Sequence, residues 1–161
     1  MPSPSLRVHV PCDEEAEQML VALAVGHPTD ARTVSEQVDP DEFYRPALAA
    51  AIEAASQLGA VKNQATRVHI VAEATGIREM ELEVWVANRI GPAARWARKI
   101  RASARRRRVM ALAARIYNEA PDCAARELAA VGHDLLAELE LLAAERDEYE
   151  AYLCQRAQKS S

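Results

Sequence analysis

Aromatic residues make up only 4% of this chain, and there is a single phenylalanine. So few rings exclude a large β-sandwich core and suit small helix-on-helix packing. Cysteine is equally sparse. Cys12, Cys123 and Cys154 are odd in number and far apart, and no CxxC or Cys/His pairing occurs. That spacing excludes a disulfide framework or a zinc site and predicts reduced thiols. The five glycines, Gly26, Gly59, Gly76, Gly91 and Gly132, stand alone. None opens a GxxxxGK[ST] loop, so a phosphate cradle for ATP is missing. No apolar run reaches membrane-spanning length, and the leader MPSPSLRVHVP has no apolar core. These features predict a soluble, cytoplasmic protein that contacts no membrane. Alternating β-branched runs are also missing, which excludes a sheet.

What is present is alanine, leucine and charge. Half of the residues are apolar, many of them alanine, which favours helix but buries little area. The expected fold is all-α: a globular helical bundle followed by a long helical hairpin. The expected division is a leader at 1–10, a globular part at 11–91, the hairpin at 92–155 and a tail at 156–161.

Asp13 can cap a first helix to Val25, with Glu14, Glu15 and Glu17 as first-turn acids favoured by the helix dipole. Ala16, Met19, Leu20, Leu23 and Ala24 form its apolar stripe, and Gly26 is the expected stop. A weaker helix spans 30–38. Asp39 and Pro40 suit a helix start, Pro46 a restart, and Leu48, Ala51, Ile52 and Ala55 the buried face of the helix that follows. A helix over 64–74 turns Val68, Val71 and Ala72 inward, and one over 78–90 buries Met80, Val84 and Ala87, with Trp85 at its edge. Phe43, Tyr44 and Trp96 read as core.

The long segment from Pro92 to Tyr152 folds back on itself, with Pro121 and Asp122 at the bend. Its first arm changes face halfway. Ala93, Trp96, Ile100 and Ala104 share one side, and Val109, Leu112 and Ile116 share another. The first half should dock on the globular part and the second half on the returning arm. The return arm offers Leu128, Val131, Leu135, Leu139 and Leu142, then Tyr149 and Leu153, as its matching seam. Leu136 and Leu141 lie off that seam, and a thin hairpin cannot bury them by itself. Leu135, Leu136, Leu139 and Leu142 are therefore the expected self-association residues, giving a dimer or higher homo-oligomer.

Charge is divided between the arms. Residues 95–108 hold eight basic groups and no acid, and residues 122–150 hold nine acids. Arg105, Arg106, Arg107 and Arg108 are the candidate nucleic-acid contacts. Four consecutive residues point around a whole helix, however, and pairing with Glu127, Asp134 or Glu138 accounts for them without a ligand. His9, His27, His69 and His133 lack metal-site spacing, and Ser35 and Ser103 have no His/Asp partners in the pattern. No catalytic group, cofactor or metal site is expected.

Three stretches together resemble the N-terminal domain of replicative DNA helicases of the DnaB type. They are Pro11 with EAEQ at Glu15–Gln18, DPDEFYRPA at Asp39–Ala47, and AARWARKIRASARRRRVMALAARI at Ala93–Ile116 with the acidic return helix. The likeness spans roughly residues 8–145 and departs from the family pattern at Ala22, Leu48 and residues 61–65. It implies a helical collar domain that dimerises through hairpins and meets a replicative helicase, primase or loader. The family's ATPase would follow this domain, whereas this sequence ends at Ser161 without a Walker A loop. A non-enzymatic interaction module is the expectation, and a DNA-binding regulator using residues 95–108 is the alternative.

Overall fold

The computed structural model describes residues 12–120 and 124–158, with side chains described as far as Arg146. The leader, the Pro121–Asp122 bend, Tyr149, Leu153 and the end of the tail lie outside the described backbone or side chains. Among the described residues every element is helical: seven α-helices, one 3-10 turn and no strand.

α1 (Glu14–Gly26) starts where Asp13 Oδ1 accepts a hydrogen bond from the Ala16 amide at 3.0 Å. It is the axle of the globular unit, Cys12–Ala104, and touches α2 (Pro28–Gln37), α3 (Pro46–Gln57), α4 (Gln64–Thr75) and α5 (Glu79–Ala87). That central position explains why its apolar surface exceeds one stripe. Val21, Ala22 and Val25 are buried along with Ala16, Leu20 and Ala24. Asp39 and Glu42 exchange hydrogen bonds in a capping box that starts a single 3-10 turn (Pro40–Glu42), and the helix restarts at Pro46 as α3. Leu48, Ala51, Ile52 and Ala55 are its buried face, as the spacing predicts. Asn63 caps α4, which carries Val68 and Val71 into the core.

Four sequence expectations need correction. Gly26 does not stop α1 as a left-handed residue; it ends the helix with no positive φ. Its missing side chain makes room for Arg89, whose Nε would sit 2.9 Å from a Cβ at this position. Glu17 is not a surface acid. It is buried and accepts hydrogen bonds from the Tyr44 amide at 2.6 Å and the Arg45 amide at 3.3 Å. Its carboxylate thus satisfies the backbone where the 3-10 turn passes into α3. Tyr44 itself is 46% exposed, while Phe43 and Trp96 are buried as expected. Finally, α5 buries Leu82 and Val86. Met80 and Val84, expected inside, are 65% and 54% exposed, and Ala87 is exposed too. The helix is apolar on two sides, and packing chose the side with the i, i+4 pair Leu82–Val86.

α6 (Ala93–Glu119) follows Gly91, whose φ of 74° lets the chain turn into the helix. Trp96, Ala97 and Ile100 enter the core of the globular unit, and the Trp96 Nε1–H donates to the Ile90 carbonyl at 2.7 Å. Arg95 and Lys99 lie over its ring system, 5.0 and 4.8 Å from the centroid. The remainder of α6, from Arg105, belongs with α7 (Ala125–Gln158) to a second unit.

Candidate interaction surface on the hairpin

The second unit is built on a heptad, because apolar residues spaced alternately three and four apart keep one helix face toward a neighbour. On α7 the inner set is Leu128, Val131, Leu135, Glu138, Leu142 and Glu145. Val131 is buried and the other five are half-buried. On α6 the matching set is Arg105, Val109, Leu112, Ile116 and Glu119, all half-buried.

The charged members of the α7 seam meet arginines of α6, Arg105 within its seam and Arg108 beside it. Arg105 Nε lies 2.9 Å from Glu145 Oε1, and Arg108 Nη1 lies 3.5 Å from Glu138 Oε1. As the numbers rise on α6 they fall on α7, so the arms are antiparallel. Glu138 was one of the acids the sequence offered to the arginine run, and Glu145 is an addition. Ion pairs placed in an otherwise apolar seam fix register, since a slipped hairpin would leave each charge against leucine.

These pairs also redistribute the arginine run. Arg105 and Arg108, three apart, turn to α7 together; Arg106 is exposed, and Arg107 is half-buried. The four do not form one basic face.

Leu139 departs from the expected inner seam. It is 43% exposed, and Leu136 is 58% exposed. Glu138 occupies the inner position that Leu139 was expected to fill. Leu136 and Leu139 instead belong to a second heptad, Ala129, Gly132, Leu136, Leu139 and Ala143. All of these are exposed except Gly132, which is half-buried. This outer seam lies about 100° around α7 from the inner one. Leu135 and Leu142 border both seams. Leu141 is exposed on the far flank. The small members Ala129, Gly132 and Ala143 escape a search for leucine alone, but their 3-4 spacing around Leu136 and Leu139 is legible in the sequence.

The globular unit offers less. One depression is lined by Glu36, Gln37, Asp39, Glu42 and Arg101, and Arg101 spans it by donating to the Gln37 carbonyl. Another is a shallow apolar dimple around Val38, Phe43 and Ile52. His69 bridges two elements, with Nδ1 at 3.2 Å from Glu79 and Nε2 at 3.7 Å from Glu73. The hydrogen bond to Glu79, then the charge of Glu73, raises its pKa above the ordinary histidine value. Among the described residues no cluster of His, Cys, Asp and Glu could hold a metal ion, and no helix is long and apolar enough to cross a membrane.

No family model matches the sequence, and no curated protein matches it. Among solved structures it is similar to the N-terminal domain of DnaB helicase from Mycobacterium tuberculosis. The likeness has a TM-score of 0.62 and 22% identity, and covers 83% of this chain and 99% of that one. The chain therefore has the fold of a DnaB N-terminal domain.

Proposed function

We propose that this chain is a protein–protein interaction and assembly module of DNA replication, built on the DnaB N-terminal fold and without catalysis of its own. It associates with itself through the outer face of α7, with Leu136 and Leu139 at the centre and Leu135 and Leu142 along the edge. Its other partners, on this reading, are a replicative helicase, a primase or a helicase loader.

The observation that carries the reading is the exposed outer heptad. A helix that has already buried one seam within its hairpin gains nothing from a second unless another helix covers it. The likeness to a helicase domain supplies the replication context. A DNA-binding regulator using residues 95–108 has weaker support, because Arg105 and Arg108 are engaged by Glu145 and Glu138.

Size exclusion with light scattering tests this directly. The wild-type chain should run as a dimer or larger at tens of micromolar. Leu136→Asp with Leu139→Asp should weaken association at least about tenfold, equivalent to about 1.4 kcal/mol, with an unchanged helical circular dichroism signal. A strict monomer at every concentration removes the self-association claim. A gel shift at low salt that disappears at physiological salt would instead favour the basic stretch.

A further inference from the structure

We infer that the hairpin opens from its base: α7 lets go of α6 between Glu138 and Arg146 while the segment from Leu128 to Leu135 stays docked, and ionic strength sets how often this happens. The inference does not rest on self-association.

The two halves of the hairpin interface are built from different chemistry. Towards the bend the inner faces are aliphatic, with Leu112 and Ile116 on α6 and Leu128, Val131 and Leu135 on α7. Val131 is only 5% exposed. Glu119, the charged residue of the α6 seam in this half, pairs with Arg115 on its own helix at 2.9 Å, so it asks for no partner across the interface. Burial of aliphatic side chains holds this half together, and salt does not screen it.

Towards the base, charge takes over. Arg105 faces Glu145, and Arg108 faces Glu138. Each carboxylate uses one oxygen, Oε1, for its arginine. The other oxygen, Oε2 in both residues, is buried and has no hydrogen-bond partner among the described residues, and the same holds for Arg105 Nη1. One further buried side-chain atom shares that condition among the described residues, Gln37 Oε1 in the globular unit. The unmet polar demand of the molecule therefore collects at the base of the hairpin.

A buried polar atom without a partner regains hydrogen bonds when water reaches it, so undocking is easiest here. The attraction within a pair withdrawn from water is also offset by the desolvation of its two charges. Val109 and Leu142, both half-buried, give the closed base its net advantage. An undocked stretch of α7 is a helix without a neighbour, and isolated helices of such length are marginal in water. Its amides therefore exchange during each opening. Residues 138–146 lie well inside α7, which continues to Gln158, so fraying of a helix end does not give the same signal.

Hydrogen–deuterium exchange of the full chain, at one fixed protein concentration, tests the inference. Amides of residues 138–146 should exchange at least about tenfold faster than those of residues 128–135. Raising salt from about 0.05 M to about 1 M should speed the first segment and leave the second unchanged, because partly exposed ion pairs are screened. Arg105→Met with Glu145→Leu should slow residues 138–146 about three- to tenfold and remove most of the salt effect, since apolar side chains replace the pair without its desolvation. Arg105→Met alone leaves Glu145 unpaired and should speed the same segment instead. Equal exchange in the two segments, a wild-type chain that does not respond to salt, or a double variant no slower than wild type overturns the inference.

Discussion

Arg67 is fully buried and has no carboxylate beside it, yet its guanidinium makes four hydrogen bonds. It donates to the carbonyls of Ala24 and Val25 at the end of α1, to Ala55 in α3, and to Val61 in the loop that follows. Helix ends leave carbonyls unsatisfied, and the negative end of the helix dipole at α1 favours a cation there. Burial lowers the Arg67 pKa, and the carbonyl ring keeps the charge tolerable. Arg67→Met should cost about 3 kcal/mol or more, because four acceptors lose their donor inside the core. Chemical denaturation should show a lower midpoint with an unchanged slope. Arg67→Lys should recover only part, since an ammonium cannot reach four acceptors in a planar fan. Nothing in the sequence flags this residue, because an arginine in a helix reads as surface until the ends of α1 and α3 converge on it. Glu17 eluded the same reading: a first-turn acid is explained by the dipole, and its long-range bonds to Tyr44 and Arg45 come from tertiary approach.

At the scale of elements, helix starts were readable where the chemistry is local. Asp13, Asp39 and Pro46 stand where side-chain acceptors and proline geometry require, whereas the Asn63 cap and the Glu42 half of the capping box were not read from the sequence. The face of α5 was not readable, because Met80–Val84–Ala87 and Leu82–Val86 satisfy the helical period equally well. A polar contact also joins α5 to α4, the exposed His69 bridge to Glu79. A proton NMR titration should place the His69 pKa above the ordinary 6.5, and Glu79→Gln should bring it down toward that value. Because the folded pKa is raised, the contribution of this bridge is complete below the ordinary histidine pKa and fades as pH rises through the raised one. Amide exchange in the first turn of α5 should quicken over the same window. An unshifted His69 would mean that the bridge does not persist in solution. The hairpin shows the same limit of sequence reading: Leu136 was set off the inner seam, but Leu139, its neighbour in the outer heptad, was read into the inner one in place of Glu138.

For the molecule as a whole, the modest net charge of −4 conceals basic residues on α6 set against acids on α7. Two of the arginines spend that charge inside the hairpin, on Glu138 and Glu145. The all-α class was legible because no stretch has a strand period, and the helicase-domain fold because three segments carry its pattern in order. The exposed outer seam of α7 was legible only in part, since exposure depends on which seam the hairpin buries first. The most direct test uses spin labels at Ala137→Cys in a chain whose Cys12, Cys123 and Cys154 are replaced by serine. If the outer seam of α7 is covered by a second copy, as proposed, helices 8–10 Å apart bring the two labels within roughly 20 Å of each other. Dipolar spectroscopy on a concentrated sample should report that short distance, and Leu136→Asp with Leu139→Asp should abolish it. A concentrated wild-type background with no intermolecular coupling would contradict the account.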